Sequence, residues 1–151
     1  MRTTITKYLS VLLIFLMSLM TLDVLWGVFT RFVFEDQASW TEELARFLLI
    51  WIGILGAAYA STKNMHPAIE LLKPSLALSG QRKLDIVVAS LILLFAVLVM
   101  VIGGGRLLYI SFILGQASPA MGVPMYLVYG IIPLSGLLIT YFKLSDIFTL
   151  A

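Results

Sequence analysis

Cysteine is absent from this 151-residue chain, and charge is scarce: Lys, Arg, Asp and Glu together make up 12% of it. Without cysteine there is no disulfide framework, thiol nucleophile or thiolate metal site. Histidine occurs once, as His66 before a proline, with no H-E-x-x-H spacing around it. A zinc site built within the chain is not expected on this pattern. There is no G-x-S-x-G elbow, and no phosphate-cradling glycine loop followed by lysine. The run Gly103, Gly104, Gly105, Arg106 is glycine-rich, but it lies in an apolar stretch without a P-loop's spacing or strand. It reads as a kink or a close helix contact. The ten Lys and Arg residues are scattered and the net charge is +2, so nothing forms a basic patch for nucleic acid.

What the chain has instead is apolar length. Hydrophobic residues make up 61% of it and the mean hydropathy is +1.05, whereas a soluble domain carries roughly twice this charged fraction. Four runs are long enough to cross a hydrocarbon core of about 30 Å, which takes roughly 20 helical residues: 8–34, 40–60, 84–113 and 125–147. The expected fold is an all-α integral membrane protein, one membrane domain over 1–151. The first and third runs exceed the need and should tilt or protrude. The start, MRTTITKYLSVLLIFLMSLM, has the basic beginning and apolar core of a secretory signal, but no small-x-small cleavage site follows. It reads as a retained first span. Pro124 suits the first turn of the fourth span, and Pro133 inside it should kink it.

Lys and Arg set the expected orientation. Seven of the ten (Arg2, Lys7, Lys63, Lys73, Arg82, Lys83 and Lys143) fall at the two termini and in the second connection. Arg31, Arg46 and Arg106 fall on the other side. Both termini are therefore expected in the cytoplasm, N-in and C-in, with the acidic first connection outside. The second connection, with HPAIELLKPSLALSG at its centre, mixes Leu and Ile with Lys and is broken by Pro74. It reads as a short amphipathic segment in the headgroup region between the second and third spans, or as a flexible basic loop.

Acids crowd the mouth of the second span, in VFEDQASWTEELARF. Ser39 and Glu42 have capping-box spacing, Glu42 and Glu43 favour the positive end of the helix dipole, and Glu42 can pair with Arg46 one turn on. Trp40 suits a membrane–water interface. This local logic leaves Glu35 and Asp36 unexplained. Asp23 lies inside the first span, where an ionisable group is costly. At i, i+4 and i+8, Asp23, Gly27 and Arg31 share a face. Either they form a buried contact, within the chain or with a partner, or Asp23 reaches water at the outer interface. Gly53, Ala57 and Ser61, flanked by Gly56 and Ala60, make a small-residue stripe of the kind that lets membrane helices pack closely. No span carries the series of acids, amides or broken turns that builds a translocation pathway.

Three stretches in succession carry a resemblance: DVLWGVFTRFVF from Asp23, WTEELARFLLIWIGILGAA from Trp40, and His66 followed by a run containing Glu70. Together they resemble the small membrane subunit of TRAP (tripartite ATP-independent periplasmic) transporters, the DctQ-type or Q component. The likeness spans nearly the whole chain and is most specific over 31–58, where W-x-E-E-x-x-R follows a short acidic loop. Pro67 and Ala68 depart from the β-branched residues expected after the histidine. The resemblance implies a multi-pass protein of the bacterial inner membrane, without enzymatic activity and with no cofactor of its own. It implies a sodium-driven import system for an organic acid, in which this chain is a fixed scaffold. Its partners would be a large M component, which holds the Na+ and substrate sites, a periplasmic substrate-binding P component, and the lipid bilayer. On this resemblance Asp23, Arg31, Trp40, Glu42, Glu43 and Arg46 join the first two helices and orient the scaffold on the large subunit. Glu35 and Asp36 become docking charges facing the binding protein, and His66 and Glu70 hold the cytoplasmic turn. From the residues alone, a stand-alone homo-oligomeric channel or exporter, with Asp23 lining a pore, is the other reading.

Overall fold

The computed structural model describes residues 2–34, 38–62 and 78–150. Among the described residues, six helices and one π-helical segment make up four spans: α1 (Arg2–Val33), α2 (Ser39–Thr62), α3 (Leu78–Phe95) continuing through the π segment Ala96–Gly103 into α4 (Gly104–Ile113), then α5 (Met125–Tyr129) and α6 (Ile131–Leu150). Each span is long and apolar enough to cross a membrane. The chain is an all-α, multi-pass membrane protein. The interfacial segment expected between the second and third spans falls mostly within 63–77, outside the described residues.

Helix ends depart from the hydropathy runs in a consistent direction. The helix α1 starts at Arg2 rather than near Tyr8, and α3 starts at Leu78 rather than near Leu84. Hydropathy marks where lipid begins, whereas a helix continues through polar residues until a breaker stops it. Ile5 shows why the extension is kept, because it packs onto the core cluster that includes Leu9 and Leu16. At the start of α2 the expected Ser39 capping box is not made. Ser39 is already helical and exposed. The Thr41 amide and hydroxyl instead both donate to the Ala38 carbonyl, at 3.1 and 2.7 Å.

The third and fourth spans are irregular where their glycines and prolines predict. The π segment ends at Gly103, and Gly104 is buried beneath the fourth span. A Cβ at Gly104 would stand 2.7 Å from Ile132 Cγ2, and one at Gly136 would stand 2.7 Å from Met100 Cβ. Glycine at these two positions is what allows the spans to cross so closely. The fourth span is disturbed one turn before Pro133. Its first helix ends at Tyr129, Gly130 is a turn, and Pro133 sits in the first turn of α6. Proline has no N–H with which to bond the Tyr129 carbonyl, and the next bond, from the Leu134 amide to the Gly130 carbonyl, is stretched to 3.5 Å.

α6 packs between α2 and the third span, while α1 rests on α2. The buried apolar residues are few. Leu9, Leu16, Leu48, Leu55, Ile131 and Phe142 form one cluster, and Ala58, Ala96 and Ile139 a second. Large apolar side chains such as Phe15, Leu22, Leu91 and Leu98 point outward instead. In water this distribution would be unstable, but in lipid the outward face costs nothing and small residues make the helix contacts.

Candidate functional site

The polar residues singled out in the sequence gather at the end of the molecule where α1 finishes and α2 begins, but they divide between two faces. On one face, Asp23, Val24, Gly27, Val28 and Arg31 of α1 and Thr41, Glu42 and Ala45 of α2 line a groove of about 240 Å³. Arg31 and Glu42 are exposed at its rim, and Glu42 Oε1 accepts a bond from Arg46 Nη2 at 3.0 Å. This is the i, i+4 pair read from the sequence. It is solvent-exposed on both sides, so it orients the helix start more than it stabilises it. Trp40 is 41% exposed beside it.

Asp23 lies at the bottom of the groove and is only 6% exposed. Neither carboxylate oxygen has a hydrogen-bond partner. Asp23 is therefore buried beside α2 without a hydrogen bond to it. Thr30, on the same side of α1, is buried and spends its hydroxyl on the Gly27 carbonyl at 3.0 Å.

Glu43 turns the other way. Its Oε1 accepts the Ala120 amide and its Oε2 the Met121 amide, both at 3.1 Å. The loop that offers these amides is tied to itself. Ser118 N–H bonds the Val123 carbonyl at 2.9 Å, Gly122 N–H bonds the Ser118 carbonyl at 3.0 Å, and Met125 N–H bonds the Gln116 carbonyl at 2.8 Å. Gly115 and Gly122 adopt positive φ of 58° and 65°, which lets the chain turn tightly enough to present two adjacent amides. A carboxylate spanning two neighbouring N–H groups is a charge-assisted, two-point latch. It fastens the connection before the fourth span to the start of α2. Deeper down, Trp51 Nε1 donates to the Val128 carbonyl at 3.2 Å and fastens α2 to α5.

Sequence reasoning missed two features. The first is this loop, whose signal was the turn-rich string SPAMGVP following residue 117. The second lies at the opposite end of the molecule, where Lys143 Nζ and Asp146 Oδ2 pair at 3.3 Å with both side chains almost fully buried. Glu35, Asp36, His66 and Glu70 lie outside the described residues. Among the described residues no three His, Cys, Asp or Glu side chains gather as a metal site would require. The latch joins two elements of the chain, and neither it nor the groove pairs a nucleophile with a base.

The family described as "Tripartite ATP-independent periplasmic transporters, DctQ component" matches residues 19–151 of the chain. The chain belongs to the DctQ family. A Haemophilus influenzae relative carrying the name of a TRAP transporter small permease protein is 30% identical over 136 residues, 90% of this chain and 83% of that protein. The ectoine TRAP transporter small permease protein TeaB of Halomonas elongata is 32% identical, over 91% of this chain and 70% of its own. The isethionate TRAP transporter permease protein DctMQ of Oleidesulfovibrio alaskensis is 29% identical over 89% of this chain, which accounts for only 21% of that much longer protein. As a DctQ-type small permease component the chain falls in a transporter class, which is not a class of enzymes. Both the latch and the groove lie within the matched region.

Proposed function

We propose that this chain is the small scaffold subunit of a sodium-driven TRAP transporter that imports an organic acid across the bacterial inner membrane. The DctQ match over 19–151 carries this reading. The DctMQ relative supports it from another direction, since there the matching region is a small part of one long permease polypeptide. In this role the chain binds the large M component, which holds Na+ and substrate, and the periplasmic binding protein meets the assembly from outside. Relatives are named for ectoine, isethionate, C4-dicarboxylate and sialic acid. That variety favours substrate choice residing in the other subunits.

The geometry fits a part that stays still. The Glu43 latch and the Trp51 bond hold the fourth span to α2, and the close Gly104 and Gly136 crossings hold it to the third. In this reading both termini are cytoplasmic, the latch and the Trp40 end face the periplasm, and Glu35 and Asp36 supply docking charges there. His66 and Glu70 then hold the cytoplasmic turn. Affinity purification from native membranes in mild detergent tests the proposal. A much larger polytopic membrane protein should co-purify in fixed stoichiometry, and liposomes holding this chain alone should not transport. Substrate uptake by the chain alone would instead establish the homo-oligomeric channel or exporter.

A further inference from the structure

We infer that the flank shared by α1 and α2 is the seat of a transmembrane helix of the large subunit, one that brings a hydrogen-bond donor to Asp23. This rests on the small-subunit reading above and adds to it the face and the chemistry of contact. Two independent observations meet on that flank. One is the Asp23 carboxylate, buried in the groove with both oxygens unpartnered. Shielded from water, such a group demands a donor or a counter-charge. The other is the stripe Ala45, Leu49, Gly53, Gly56 and Ala60, which recurs at helical spacing from the groove wall along α2. A Cβ added at Gly53 or Gly56 would meet nothing within 4 Å. The small residues that elsewhere in this fold mark close helix crossings are here left open.

Both observations ask for the same occupant. A helix backbone can approach Gly53 and Gly56 closely and, about 12 Å along its axis, present a side chain to the groove that Ala45 shares with Asp23. Lipid tails would fill the stripe but give the carboxylate no donor. An anionic lipid headgroup would set phosphate oxygens, themselves acceptors, against the Asp23 oxygens and leave them unsatisfied. A second copy of this chain would offer acid to acid, since its nearest cation on the same face, Arg31, is about 12 Å away along the helix. The charge of Asp23 therefore selects a different chain, with Arg, Lys or an amide or hydroxyl donor at that depth.

The test uses the chain expressed with its large subunit. Asp23→Leu and Gly53→Leu should each reduce the co-purified large subunit at least tenfold while the small chain stays in the membrane at its normal level. Asp23→Asn, which keeps an acceptor, should lose less than Asp23→Leu. Val87→Leu, on the exposed face of α3, should change nothing. A photo-crosslinking side chain placed at Ala57, on the exposed edge of the stripe, leaves Asp23 intact and reads the occupant directly. An adduct with the large subunit supports the assignment even where a leucine variant does not accumulate. Unchanged co-purification in both leucine variants, or adducts with lipid or a second copy alone, overturns it. If no large subunit accompanies the unaltered chain, the small-subunit reading fails as well, and the Ala57 adduct still shows what covers the face.

Discussion

Glu42 and Glu43 are adjacent acids with unlike tasks, and the difference comes from where one residue of helical rotation points each of them. Glu42 faces the groove and an exposed arginine, so its loss should be felt little. Glu43 holds two loop amides. With Glu43→Ala those amides lose their acceptor, and hydrogen exchange at Ala120 and Met121 should quicken. Glu43→Gln, with one acceptor oxygen left, should fall between, and Glu42→Ala should leave both amides as they were. Lys143 and Asp146 present the opposite situation, a pair almost wholly buried. Breaking such a pair from one side removes a charge-assisted bond between two buried groups. Lys143→Met or Asp146→Ala should therefore lower the detergent unfolding midpoint markedly. Replacing both with apolar residues should cost less than the sum of the two single losses, and additive losses would show that the two residues do not act as a pair.

Between elements, stability is decided by backbone approach more than by large side chains, and the glycine run in the third span shows it. Gly104 and Gly105 are neighbours in sequence, yet an added Cβ meets Ile132 and Pro133 at the first and open space at the second. Gly104→Ala should destabilise the chain by about 1–3 kcal/mol, as overpacking does, while Gly105→Ala should be neutral or slightly stabilising. Thermal unfolding in detergent distinguishes them, and equal effects would mean that the crossing relaxes freely. A kink or close packing was legible from GGGR, but which glycine carries it was not, because that depends on Ile132 in another span. The same limit hid the latch. Glu43 and Ala120 are 77 residues apart, and no local pattern announces that a carboxylate and a loop amide will meet. The break at Gly130 was half legible, since Pro133 signalled disruption and only the folded register put it one turn earlier.

At the scale of the whole molecule, four apolar runs gave four spans, because hydropathy is a local property that lipid reads directly. The family was legible too, from the W-x-E-E-x-x-R stretch and what precedes it. Orientation across the membrane is a different kind of quantity. It follows from the Lys and Arg bias between the two sides, and the fold is the same whichever side is inside. The absence of cysteine makes the orientation measurable without background labelling. In intact cells, an impermeant thiol reagent should label Asp36→Cys in the first connection and Gln116→Cys, exposed in the third, while Ser75→Cys in the second reacts after permeabilisation alone. The reverse pattern would place the acidic mouth of α2 in the cytoplasm. The Glu43 latch and the Asp23 groove would keep their geometry, but Glu35 and Asp36 could no longer meet a periplasmic binding protein.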